Sequence, residues 1–231
     1  MSDAPSPDAI FIGGPNGSGK SSILRHVTRQ PGATYICADE IAKELRKAGY
    51  TGTEERLAKK AAEMAVSKVI ECVQHKKPFL YETVMSHPSK VQLMKTATNA
   101  GMASHLAFVA LSDPSVNVER VAERVHQGGH DVPTDKVVSR YERTLSHLPD
   151  AMRAVKSGEV WDNTTEPVRF ACIDNSRQVV TVERKVPEWA LPAMRELGKT
   201  HSFEASKGMS RVDSLDVKRS LAALQDRGLS R

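Results

Sequence analysis

Gly14-Pro15-Asn16-Gly17-Ser18-Gly19-Lys20-Ser21 follows the pattern G-x-x-x-x-G-K-[ST]. Small residues in such a loop let backbone N–H groups approach a phosphate chain. The Lys20 ammonium then meets the β and γ oxygens, and the Ser21 hydroxyl is placed to ligate Mg²⁺. The run Gly14, Pro15, Asn16, Gly17, Ser18, Gly19, Lys20, Ser21 and Ser22 is therefore assigned to ATP. Phosphoryl transfer to a hydroxyl also gains from a base within hydrogen-bond distance of that hydroxyl and from a further carboxylate. Asp39 follows Thr34-Tyr35-Ile36-Cys37 and is the candidate base, on the substrate side of the site. It also stands where a helix N-cap belongs, a role not easily shared by the same carboxylate. Glu82 follows Phe79-Leu80-Tyr81 and is assigned to a magnesium-bound water or the substrate, the alternative being a solvated loop acid. Thr83 beside it is a substrate-side hydroxyl with a weaker claim.

Cations provide the rest of the chemistry. Arg120 and Arg124 are spaced i, i+4 on one helix face, and Arg140 and Arg143 follow the break Gly128-Gly129-His130-Asp131-Val132-Pro133. Arginines on an element that closes over ATP would offset charge developing on the transferred phosphoryl group and exclude water. Arg120 and Arg124 rank first as catalytic groups, Arg140 next as an ATP-phosphate ligand, and Arg143 last. The competing reading is a solvated helix surface on which Glu119, Glu123 and Glu142 pair with these arginines. His87, His126, His130 and His147 have no carboxylate or cysteine at ligand spacing, and they read as surface or loop residues. Asp162-Asn163, after Val160-Trp161, either touches the adenine or makes a turn.

These residues need a scaffold, and the hydrophobic pattern supplies one. Ala9-Ile10-Phe11-Ile12 reads as a strand before the glycine loop, with Ile23, Leu24 and Val27 at helical spacing after it. Residues 34–37 form a second strand, leading into a helix that Gly49 ends. The stripe Leu57, Ala61, Met64, Ala65, Val69, Val73 is a helix core. Residues 78–81 form a third strand, about 88–100 a helix, and His105–Leu111 a strand buried on both faces. The expected core is thus four strands in an α/β arrangement, with ligands at the carboxyl ends of the strands. From Pro114 to about Val155 the pattern is helical, Arg-rich and the least core-like of the chain. Residues 168–173 and 179–182 read as a hairpin across Asp174-Asn175-Ser176-Arg177. The domain organisation expected is a disordered tail over 1–8, one catalytic domain over 9–200, and an extension over 201–231, loosely helical or frayed.

The 231 residues are 39% apolar and 26% charged, and the mean hydropathy is −0.41. That composition excludes a disordered chain and an integral membrane protein. Lys plus Arg number 33 against 28 Asp plus Glu, a net charge of +5 that fits anionic partners such as nucleotides. Cys37, Cys72 and Cys172 form no CxxC pair, so a reducing compartment is expected. With no basic-then-apolar leader pattern at the start, the expected location is the cytoplasm and no membrane partner is expected.

The pieces Gly-Gly-Pro-Asn-Gly-Ser-Gly-Lys-Ser-Ser, Ala38-Asp39-Glu40-Ile41-Ala42, Tyr81-Glu82-Thr83, Gly128-Gly129-His130-Asp131-Val132-Pro133 before Arg140-Tyr141, and Trp161-Asp162-Asn163 occur together and in order. This combination resembles the zeta toxin family of P-loop kinases over about residues 9–185. The resemblance implies a P-loop kinase fold, with a mostly parallel sheet flanked by helices and a helical arginine-bearing lid. It also implies ATP- and Mg²⁺-dependent phosphorylation of a sugar hydroxyl of UDP-N-acetylglucosamine, restrained by an antitoxin protein. Asp39 matches the family's base, Lys20 and Ser21 its phosphate and magnesium groups, Glu82 with Thr83 a substrate-side motif, and 120–140 the lid. Two alternatives remain open: a kinase of another nucleoside, nucleotide or dinucleotide, and a nucleotide-dependent ATPase or binding switch. Nucleic acid is not an expected partner, because no binding motif is present and aromatic residues for base stacking are few, at 5%.

Overall fold

The computed structural model of the chain describes residues 8–27, 30–127, 131–174, 179–182, 186–198 and 202–205. The N-terminal tail before Asp8, the break at 128–130, the hairpin turn at 175–178 and most of the C-terminal extension lie outside the described residues.

β1 (Asp8–Gly13) is buried from Ala9 onward because it lies in the middle of a sheet covered on both faces. It runs parallel to β3 (Phe79–Thr83) on one side and β4 (Ala103–Ala110) on the other. β2 (Thr34–Cys37) pairs parallel to β3, and β5 (Ser157–Asp162) parallel to β4. β6 (Val168–Asp174) turns antiparallel to β5, β7 (Val179–Val182) antiparallel to β6, and β8 (Ser202–Ala205) parallel to β7. The eight-stranded order is β2-β3-β1-β4-β5-β6-β7-β8. The four expected parallel strands are present, the parallel part gains β5, and the expected hairpin is β6–β7. Two boundaries of the sequence reading shift. Asp8 belongs to β1 rather than to the tail, with its carboxylate accepting the Gln30 N–H at 3.1 Å. The extension contributes β8 to the sheet edge.

Strand alternation sends Phe11, Phe79, Tyr81, Leu106 and Phe108 to one face. There they meet α3 (Glu54–Gln74), α4 (Ser89–Asn99), α7 (Leu148–Ala154) and α8 (Leu191–Gly198). Phe11 and Phe79 pack edge to face at 5.5 Å between centroids. Ile10, Ile12, Leu80, Ala107 and Val109 face the other way, onto Ile23 of the one-turn helix α1 (Lys20–Ile23).

One further expectation is corrected, and one competing role is removed. The stretch 114–155 is not uniformly peripheral: α5 (Pro114–His126) and α6 (Thr134–Ser146) bury few residues, but Leu148, Ala151 and Met152 of α7 are fully buried against the sheet. Their short recurrence is masked in the sequence by the charged residues around them. Second, α2 (Ala38–Lys47) starts with no loop after β2, so Cys37 is the N-cap and Asp39 lies inside the first turn. Asp39 is therefore free of capping duty. The sequence pattern was silent on residues 186–198, where Trp189 packs against Phe108 and Phe170 and α8 completes the core.

Candidate active site

The loop between β1 and α1 crosses the carboxyl end of the sheet, between β3 and β4, where an open parallel sheet leaves a crevice. Its conformation demands glycine at several points, Gly17 and Gly19 among them. Gly17 and Gly19 have φ of +73° and +82°, and a Cβ on either would lie 2.4 Å from Asn117 O or 2.1 Å from Asn163 Nδ2. The N-cap of α1 is Gly19, with no side-chain cap; the Ser22 N–H donates to Gly19 O at 2.9 Å, which leaves the Lys20 and Ser21 N–H groups for phosphate oxygens. Lys20 Nζ donates to Gly14 O at 3.1 Å and Pro15 O at 2.9 Å, so the ammonium lies across its own loop. Burial lowers its pKa, opposed by the charges of Glu82 and Asp39. Ser21 and Ser22 are exposed at the start of α1.

A cleft of about 250 Å³ opens beside the loop, lined by Asn16, Lys20, Asp39, Glu82, Thr83, Arg124 and Arg140, together with Tyr81, His87 and Lys90. Arg124 NH1 lies 3.8 Å from Asp39 Oδ2. Glu82 occupies the end of β3, where its Oε2 accepts the Tyr35 hydroxyl at 2.8 Å from the neighbouring strand. Burial and the Glu82 charge push the Tyr35 phenol well above its ordinary range. Thr83 Oγ1 accepts the Met85 N–H at 3.3 Å and so supports Met85 in the left-handed region, at φ +62°, where a non-glycine residue is strained. Arg140 is half-buried, and desolvation followed by the nearby Arg143 charge lowers its pKa.

The structure thus brings Lys20, Asp39, Glu82, Thr83, Arg124 and Arg140 to one cleft. Arg120 is not in that lining: its guanidinium donates to Thr164 O at 3.2 Å. Arg143 hydrogen-bonds Ser139, one turn back on α6. At the end of β5, Asp162 makes the turn by accepting the Thr164 N–H at 3.0 Å, while Asn163 Nδ2 donates to Ser18 O at 2.9 Å. Sequence reasoning missed Lys90 and His87 in the cleft lining, the latter read as a surface or loop residue, and two contributors beside the cleft. Tyr35 carries no motif. Asn117, an ordinary polar residue in a helical pattern, is fully buried and donates to Asn16 O at 2.6 Å.

The donor set fits a nucleoside triphosphate with a divalent ion. The glycine cradle leaves backbone donors and an ammonium for phosphate, and the exposed Ser21 hydroxyl and Glu82 carboxylate suit a hard cation that keeps several waters. Among the described residues no three His, Cys, Asp or Glu side chains gather around a point, so a cation here would rely on the phosphates as well.

A parallel β2-β3-β1-β4-β5 core with a G-x-x-x-x-G-K-[ST] loop after its central strand defines a P-loop kinase fold. The chain belongs to the zeta toxin family, whose family model matches residues 1–179. It is 33% identical over 134 residues to an uncharacterized protein of Haemophilus influenzae, an alignment covering 58% of this chain and 91% of that protein. The fold is shared with a structure from the PezAT chromosomal toxin–antitoxin system of Streptococcus pneumoniae. That match has a TM-score of 0.54 and 17% identity, over 98% of this chain and 87% of that one. It is also shared with a chain of the AvrRxo1-ORF1:-ORF2 structure with ATP, at a TM-score of 0.60 and 12% identity, over 95% and 82%. No helix among the described residues is long and apolar enough to cross a membrane.

Proposed function

We propose that the chain is an ATP- and Mg²⁺-dependent phosphotransferase acting on a hydroxyl of a nucleotide sugar, with UDP-N-acetylglucosamine the leading acceptor. The observation that carries this reading is the convergence of Asp39, Arg124 and Lys20 on one cleft at the mouth of the glycine loop. A carboxylate free of capping duty and half exposed is suited to take a proton from a bound hydroxyl. In the proposed step that hydroxyl passes its proton to Asp39 and its oxygen attacks the γ-phosphorus. The bond to the β–γ bridging oxygen breaks, and ADP leaves with that electron pair. Lys20 exchanges the Gly14 and Pro15 carbonyls for phosphate oxygens, and Arg124 and Arg140 offset charge on the transferred group. Glu82, oriented by Tyr35, and Ser21 would hold Mg²⁺, which when bound would neutralise charge on the triphosphate. Family membership supports a restraining antitoxin as partner, and the reagents of this reaction belong to the cytoplasm.

The test is mass spectrometry of full-length protein incubated with ATP, Mg²⁺ and UDP-N-acetylglucosamine, beside Lys20→Ala and Asp39→Asn. A phosphate-sized mass gain on the sugar nucleotide, absent in both variants, is the expected result. ATP binding without any gain would refute this acceptor and favour another nucleoside, nucleotide or dinucleotide. Hydrolysis of ATP with no acceptor at all would favour the binding switch.

A further inference from the structure

Asn117 is 0% exposed, and only half of its amide is used. Nδ2 donates to Asn16 O at 2.6 Å, whereas Oδ1 is buried with no hydrogen-bond partner. A buried amide oxygen without a donor is costly, so packing alone would favour a leucine of similar size at this position. The cost has a return if the donated hydrogen bond sets the shape of the loop. A carbonyl held from behind by a side-chain amide cannot turn toward a phosphate, and the adjoining N–H groups are then left facing it. Asn163 does the same to Ser18 O from the end of β5. The two left-handed glycines, Gly17 and Gly19, are the residues whose missing Cβ atoms let Asn117 and Asn163 come this close.

The clamp is also tied to the arginines. Asn117, Arg120 and Arg124 stand at i, i+3 and i+7 on α5, along one stripe. Asn117 grips the loop, Arg120 grips Thr164 O, and Arg124, about 10 Å along the axis from Asn117, stands over Asp39. Thr164 in turn accepts the Ser112 N–H at 3.0 Å, just before α5 begins, and follows the Asn163 that holds the loop. The root of α5, the glycine loop and the 163–164 turn therefore form one closed network.

We infer that Asn117 is a positioning residue that couples the phosphate-binding loop to α5, so that filling the loop with nucleotide fixes Arg124 over the cleft. The inference rests on the nucleotide-binding reading of that loop. The network also means that the arginine segment does not swing from its root: Arg120 belongs to the anchor and Arg124 to the cleft.

The experiment uses the full chain carrying Asn117→Leu, with ADP and Mg²⁺ as the probe. Calorimetry gives the ADP affinity, thermal denaturation gives Tm, and hydrogen exchange with and without ADP reports on residues 118–126. The expected result is a Tm near wild type, because removing the unpaired Oδ1 offsets leaving Asn16 O without its donor, ADP binding weaker by about tenfold, and ADP-dependent protection of 118–126 lost at saturating ADP while the loop stays protected. Unchanged affinity and unchanged protection at an intact Tm would overturn the inference and leave Asn117 a packing residue. Should the leucine variant not fold, Asn117→Ala is judged by the same two readouts. Failure of wild type to bind ADP refutes the underlying reading, whereas wild-type binding with an indifferent variant refutes the coupling alone.

Discussion

Replacing Asp39 by Asn is the sharpest perturbation of the proposed chemistry, because it keeps the shape of the side chain and removes its basicity. The stability cost can be bounded from the geometry. Asp39 and Arg124 are 51% and 38% exposed and 3.8 Å apart, and at a water-like dielectric two unit charges at that distance attract by about 1 kcal/mol. Side-chain ordering and salt reduce this further, so the net loss is expected at ~0.2–1 kcal/mol. For a chain of this size that lowers Tm by at most about 4 °C. Losing a general base costs about 10²–10⁴ in rate, or ~3–5 kcal/mol of barrier. ADP affinity should stay within about threefold, since the role proposed for Asp39 is on the acceptor hydroxyl and not on the diphosphate of ADP. The assay is initial-rate phosphoryl transfer from ATP to the acceptor identified by mass spectrometry, with calorimetric ADP binding and a melting curve on the same sample. Transfer within about threefold of wild type, on a folded variant that binds ADP normally, would refute the assignment of Asp39 as base.

Two further predictions concern the scaffold. Tyr141 is 6% exposed and its hydroxyl donates to Leu111 O at 2.6 Å, joining α6 to the chain just after β4; Tyr141→Phe should cost ~1–3 kcal/mol, read as a fall in denaturation midpoint, and an unchanged midpoint would show the bond to be idle. At Glu159, burial raises the carboxyl pKa, but hydrogen bonding to His105 (3.5 Å), the Arg169 charge (3.7 Å) and the Trp161 N–H outweigh it and leave the folded value below 4.5. A depressed folded pKa contributes stability that is present above the unfolded value and lost as pH falls through the folded one, so wild type should lose stability more steeply than Glu159→Gln below about pH 4.5; coincident acid limbs would contradict this.

What could be read in advance depended on how local the signal was. The alternation of apolar strands and helical stripes was legible because each strand and its following helix carry their own periodicity within a dozen residues. The stretch 186–198 was not: Pro187 and Pro192 leave only a short apolar run before and within α8, and Trp189 becomes a core residue only by packing on Phe108 and Phe170 from distant strands. Likewise α7 looked peripheral until the sheet was in place to cover Leu148, Ala151 and Met152.

The candidate site divides in the same way. By itself, the sequence determined the glycine loop, Lys20, Ser21 and the two acids at strand ends, because a phosphate cradle is built from consecutive residues and a strand end announces itself in hydrophobicity. Spacing of i, i+4 put Arg120 and Arg124 on one face of a helix but could not say which of them lines the cleft. That was decided by how α5 docks: its root is held by Asn117 on the loop and Arg120 on Thr164, which leaves Arg124 beside Asp39. The same holds for Asn117 and Asn163, whose partners lie more than a hundred residues away along the chain. Such contacts carry no local pattern, because they exist only once the sheet has brought the loop, the turn after β5 and the root of α5 together.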